Sequence, residues 1–133
     1  KASLTMSLDC GTRETYKLIK RVDKFNDVVR NLKKYVKESK SDRPEINVKY
    51  IILKNVNDNE QEIRAFFDLM KNVGITKVEL NFEHKFAIEV YKKEQEIPEH
   101  YRELVNLFFE LCRQGNFEVN PPDDFMKYVM TKS

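Results

Sequence analysis

The chain has 133 residues, 41% hydrophobic and 35% charged, enough for one cored domain and too few for two. Its formal charge of +2 comes from 24 basic against 22 acidic side chains, a weak field that argues against a nucleic-acid partner, since neutralising phosphate takes a concentrated basic face. No apolar run approaches the roughly 20 residues of a membrane span, and the two cysteines, Cys10 and Cys112, show neither a disulfide framework nor zinc-ligand spacing.

Lys1 leads straight into strand-like sequence without an apolar signal core. With reduced thiols, this sets the expectation of a cytoplasmic protein. A domain that opens on a core strand with no initiating Met is expected to have been cut from a longer chain.

Leu4, Met6 and Leu8 alternate with other residues and predict a strand over 2–8, ending in Asp9-Cys10-Gly11-Thr12, a polar turn with a permissive glycine. Thr12 suits an N-cap for a short helix reaching Lys20. Asp23 is the expected cap of a longer helix, whose Phe25, Val28, Val29, Leu32, Tyr35 and Val36 recur at spacings of three and four. Its basic cluster, Lys33, Lys34, Lys37 and Lys40, is interrupted by Glu38 and Asp42 and reads as a solvated face. The stretch 39–44 breaks the pattern.

Residues 46–53 are rich in β-branched and aromatic types and nearly all apolar from Tyr50, which predicts a strand buried on both faces. Asp58 or Asn59 then caps a helix with Glu60 and Glu62 near its positive end. Its stripe is Ile63, Phe66, Phe67, Leu69, Met70 and Val73, and Gly74 is its stop. Val78, Leu80 and Phe82 predict a third strand, and 83–94 carries a less regular helical pattern. Pro98 opens a helix with Tyr101, Leu104, Val105, Phe108, Phe109 and Leu111 inward and Gly115 as its stop. Residues 116–120 are strand-like, Pro121-Pro122 ends them, and 123–130 predicts a last short helix.

Strands alternating with helices in this way imply right-handed crossovers. The expected fold is α/β, a mostly parallel sheet of about four strands with flanking helices. That is too few strands to close an eight-stranded barrel, leaving a doubly wound piece or part of a partial barrel. We expect a single α/β domain over 1–133, with βα units in 1–83 and a helical extension containing a strand in 84–133.

Parallel α/β folds bind ligands at the carboxyl ends of their strands. Three such ends are polar here: Ser7, Asp9, Gly11 and Thr12; Asn55, Asn57, Asp58 and Asn59; then Asn81, Glu83 and His84. Asx residues favour caps and loops whatever the function, so capping is the default for each alone. Ser7 and Asp9, two apart, face the same way in an otherwise apolar run, and a buried polar pair is costly unless it binds something. Lys49 either snorkels at a strand start or meets a carboxylate across the sheet. His84 and His100 share no ligand spacing, and Cys10 reads as a packed thiol in preference to a reactive one. No GxGxxG, Walker, GxSxG or HExxH pattern occurs.

The run Leu4-Thr5-Met6-Ser7-Leu8-Asp9-Cys10-Gly11-Thr12-Arg13-Glu14-Thr15-Tyr16, followed by Ile19-Lys20 and Val22-Asp23-Lys24-Phe25, resembles the middle of a radical S-adenosylmethionine enzyme. There a strand ending in Ser-x-Asp leads to a Gly-Thr turn and a helix. Val48-Lys49-Tyr50-Ile51-Ile52 with Asn57 to Ile63 resembles the family's next strand and helix entry, and Gly74-Ile75-Thr76-Lys77-Val78 the one after. The resemblance implies a partial (βα)6 barrel of which this chain holds strands four to six. It implies that Ser7 and Asp9 face the ribose or methionine end of S-adenosylmethionine, that Lys49 pairs with its carboxylate, and that Asn57 lies near the adenosine.

The same resemblance implies a [4Fe–4S] cluster in the parent protein. The family's CxxxCxxC loop is absent here, and two cysteines cannot supply three thiolates. The expectation is therefore the later portion of a radical S-adenosylmethionine core, inactive alone and binding neither cofactor by itself. Its partner is the missing N-terminal half of the barrel, and the parent's substrate is unspecified. The competing expectation is a non-catalytic α/β interaction module that self-associates through apolar surface at Phe66-Phe67 and Phe108-Phe109.

Overall fold

A computed structural model describes residues 3–38 and 45–131. Elements follow the order β1 (Ser3–Ser7), α1 (Arg13–Lys20), α2 (Phe25–Glu38), β2 (Glu45–Ile52), α3 (Glu60–Val73), β3 (Lys77–Phe82), α4 (His84–Tyr91), α5 (Tyr101–Gln114), β4 (Glu118–Val119) and α6 (Asp124–Thr131). This is the predicted order. The expected break at 39–44, Lys40 of the basic cluster and the first residue of the predicted strand lie outside the described residues.

The four strands form one parallel sheet in the order β1-β2-β3-β4. Sequential neighbours joined by right-handed crossovers place every connecting helix on the same side. The sheet is thus singly wound, as in a barrel wall, with no reversal of strand order among the described residues.

Helix limits follow local chemistry. Thr12 caps α1, its hydroxyl accepting from the Thr15 N–H at 3.3 Å. Asn59 caps α3, accepting from the Glu62 N–H at 2.8 Å, and Gly74 at φ 92° ends it in the left-handed region that glycine adopts freely. Asp23 does not cap α2 as expected. Its carboxylate accepts from Arg13 Nε at 2.8 Å, and that guanidinium holds it below the usual carboxylate range. Gly115 stops α5 as expected, and the left-handed conformation falls to the next residue, Asn116, φ 56°.

Beneath the helices lies an aromatic core. Tyr50 meets Phe66 edge-on at 5.1 Å between ring centroids, and Phe67 meets Phe108 at 4.8 Å. Phe82, Phe86, Tyr101 and Phe125 form a second cluster around β3. Phe66, Phe67 and Phe108 are buried, which overturns the expectation that they supply sticky surface. The exposed large apolar residues are Leu4, Leu18, Val22, Ile88, Tyr91 and Tyr128.

β2 is also corrected. Val48, Tyr50 and Ile52 are buried against the helices, whereas Lys49 and Ile51 on the opposite face are only half-buried. The strand alternates, so the sheet has one apolar face and one polar face.

Candidate functional site: the polar face of the sheet

In a parallel sheet, residues in register share a face, so the pairing sets out the polar side row by row. Thr5, Asn47, Lys77 and Glu118 form one row, Ser7, Lys49 and Glu79 the next, and Ile51 and Asn81 the third, nearest the strands' carboxyl ends. The interactions on this side run among its own residues. Asn47 Nδ2 donates to Glu79 Oε1 at 2.7 Å, and Lys49 Nζ lies 3.9 Å from Glu79 Oε2. Lys49 therefore meets a carboxylate across the sheet, one of the two arrangements expected for it.

Asn47 is 4% exposed, yet its Oδ1 has no hydrogen-bond partner, and the same holds for the buried Oδ1 of Asn81. An unpaired buried carbonyl costs roughly 1–3 kcal/mol. Both oxygens lie beneath neighbouring side chains, out of reach of solvent.

The carboxyl edge above these rows is a hydrogen-bonded lock. Asp9 adopts φ 65° and is buried. Its carboxylate accepts from the Ile51 N–H at 2.7 Å and from Ser7 Oγ at 3.1 and 3.2 Å, with Lys20 Nζ 3.5 Å away. It extends the β1-β2 pairing past the last strand residue. Asn57 is fully buried, and its Nδ2 donates to the carbonyls of Asp9 and Ile51 at 2.8 and 2.9 Å. Its Oδ1 accepts from the Leu53 N–H at 2.7 Å. Both donor hydrogens are committed to backbone, which leaves none for a ligand.

Glu62 completes the lock. It reaches from α3 to accept from the Gly11 N–H at 2.7 Å and from Thr15 Oγ1 at 2.7 Å. Gly11 is required for a steric reason in place of the expected conformational freedom. A Cβ there would sit 2.2 Å from the Ala65 carbonyl carbon and the Phe66 nitrogen of α3.

Cys10 and Cys112 are buried. Burial, and for Cys10 the nearby Glu62 and Asp9, pushes both thiols up to about 12. Two thiols, one in the loop after β1 and one in α5, are too few for an iron–sulfur cluster held by protein thiolates. Among the described residues no group of three or more His, Cys, Asp or Glu could hold a metal ion, and no helix is long and apolar enough to cross a membrane.

His84 and His100 are exposed, with His100 Nε2 3.0 Å from the Asp58 carbonyl. Asp58 accepts from the Tyr101 hydroxyl at 2.9 Å, so the cap role goes to Asn59 alone. A separate groove of about 730 Å³ is lined by Asp58, Glu60, Arg64, His100 and Glu103 among others, none of them on the polar face.

A one-sided sheet of this kind has a counterpart of known structure. The chain is similar in fold to a radical SAM methyltransferase from Sphaerobacter thermophilus. The two share 14% identity at a TM-score of 0.57, over 89% of this chain and 33% of that one. The chain thus spans about a third of that protein's length. No family model matches the sequence, and no curated protein matches it. The likeness is one of fold: an α/β sheet of parallel strands flanked by helices, as in part of a barrel wall.

Ser7 and Lys49 are brought together, in one register row. Asp9 and Asn57 are brought together as well, with their polar atoms directed at backbone. Asn47 and Glu79 were not singled out from the sequence, and Glu62 was read only as a carboxylate at a helix start. For Asn47 and Glu79 the signal was strand alternation, and for the reach of Glu62 to the Gly11 loop there was none.

Proposed function

We propose that this chain is the later part of a radical S-adenosylmethionine enzyme core, β1 to β3 serving as strands four to six, and that its polar face borders the S-adenosylmethionine pocket. The observation that carries this reading is the row Ser7, Lys49 and Glu79 on the open side of a singly wound sheet. In a barrel wall that side faces the lumen.

Lys49 then offers its ammonium to the methionine carboxylate in exchange for Glu79, and Ser7 Oγ turns towards the ribose. Asp9 and Asn57 are positioning residues that hold the carboxyl edge under the nucleoside. The cluster and the radical chemistry belong to the preceding half of the barrel, the partner of this one. Residues 84–133 form a helical extension of the same domain, and the parent is a cytoplasmic enzyme.

The test is a titration with S-adenosylmethionine of the isotope-labelled chain joined to the preceding half of the barrel, followed by amide chemical shifts. Saturable shifts centred on Ser7 and Lys49, weakened by Lys49→Gln, are expected. Shifts confined to the helix side, or indifferent to Lys49→Gln, would overturn the assignment.

A second reading, an interaction module, draws on the exposed Ile88, Tyr91 and Tyr128, the two tyrosine rings lying 6.1 Å apart. Sedimentation distinguishes it. A stable oligomer, unaffected by S-adenosylmethionine and lost in Tyr91→Ser/Tyr128→Ser, would favour it.

A further inference from the structure

Lys77 of β3 and Glu118 of β4 stand opposite each other in register on the polar face, one row below Lys49 and Glu79. Lys77 is half-buried and Glu118 exposed. Opposite charges in this position are well placed to pair across a sheet. Yet neither side chain makes a hydrogen bond or ion pair among the described residues. Glu79, the other carboxylate of the face, is committed elsewhere, to Asn47 at 2.7 Å and Lys49 at 3.9 Å. The lowest row thus presents an ammonium and a carboxylate on adjacent strands, each short of a counter-charge. A plain anion would satisfy Lys77 and be repelled by Glu118, and a plain cation the reverse. A ligand with both charges close together satisfies the two at once.

We propose that Lys77 and Glu118 bind the α-amino-acid head group of the parent's substrate, Lys77 taking its carboxylate and Glu118 its ammonium. The proposal rests on the barrel reading above and gives it a substrate class: a free amino acid, or a molecule ending in one. Charge-assisted bonds at both ends fix the orientation of the head group. It occupies the lowest row alone and leaves the row of Ser7, Lys49 and Glu79 to S-adenosylmethionine. Rows on one face lie two residues apart, roughly 7 Å, so the two ligands lie side by side and neither crosses the other. The substrate's side chain is then the part free to rise from the sheet into the lumen.

The experiment uses the same labelled chain joined to the preceding half of the barrel, at low ionic strength. It is titrated with glycine, which carries both charges, and with acetate and methylammonium, which carry one each. The amide signals of Lys77 and Glu118 are followed. Glycine is expected to shift them saturably, and the other two to bind about tenfold more weakly, the loss of one charge-assisted bond. Lys77→Gln and Glu118→Gln should each weaken glycine by a similar factor, and the swap Lys77→Glu/Glu118→Lys should restore much of it. Acetate or methylammonium matching glycine, or shifts only elsewhere, would overturn the proposal, and this comparison stands on the unmodified protein whether or not a variant folds. S-adenosylmethionine has an amino-acid head group of its own, so glycine is also titrated in its saturating presence. Glycine affinity should then hold within about twofold, and displacement of glycine would overturn the assignment to substrate. Glycine binding without S-adenosylmethionine binding sinks the barrel reading and leaves the head-group site, and the reverse sinks the head-group site alone.

Discussion

Replacing Asn57 with alanine tests whether the carboxyl edge is held together as described. The fully buried side chain donates to the Asp9 and Ile51 carbonyls and accepts from the Leu53 N–H. Three lost bonds at about 1 kcal/mol each, with buried groups left unpaired, give a destabilisation of roughly 3–5 kcal/mol. That is a large share of the 5–15 kcal/mol typical of a domain. Urea unfolding followed by circular dichroism reads it out: at an m-value of about 2 kcal/mol/M the midpoint should fall by about 2 M. A loss below about 1 kcal/mol would refute the reasoning, and if S-adenosylmethionine affinity fell at the same time, Asn57 would be a contact residue and not a positioning one.

Gly11→Ala places a Cβ against the α3 backbone, which cannot rotate away, so unfolding measurements should show a loss at or above the upper end of the usual 1–3 kcal/mol for overpacking. Glu62→Gln keeps the shape but weakens the charge-assisted bonds to Gly11 and Thr15, and should cost about 1–3 kcal/mol in the same assay. The folded thiols stay protonated up to about 12, whereas the unfolded ones ionise near 9. Their contribution is therefore whole below pH 9 and is lost as pH rises towards 12, so the urea midpoint should drop across that window and by less in Cys10→Ala/Cys112→Ala. Native thiols should correspondingly resist iodoacetamide at pH 8 until urea is added.

Element order was legible because both periodicities were clean. The stripe of α3 and the alternation of β3 each fit a single template. The faces of β2 were harder to read, since Ile51 is apolar on the polar side and hid the alternation that Asn47 and Lys49 begin. The candidate site was legible only as far as Ser7 and Lys49, whose polarity stands out locally. Asn59 and Glu62 stand at capping-box spacing, yet Glu62 turns from its own helix to the Gly11 loop, a choice fixed by tertiary approach. Gly11 likewise sits beside Ala65 only because the loop after β1 packs on α3, and no neighbouring residue announces it.

Whether this chain is one wall of a radical S-adenosylmethionine barrel, as proposed, is decided by the sequence encoded immediately upstream. Three βα units of about 30 residues each must precede β1. A CxxxCxxC motif is expected within roughly 100 residues upstream. An upstream stretch of that length without the motif, or one whose strands and helices do not alternate, would contradict it.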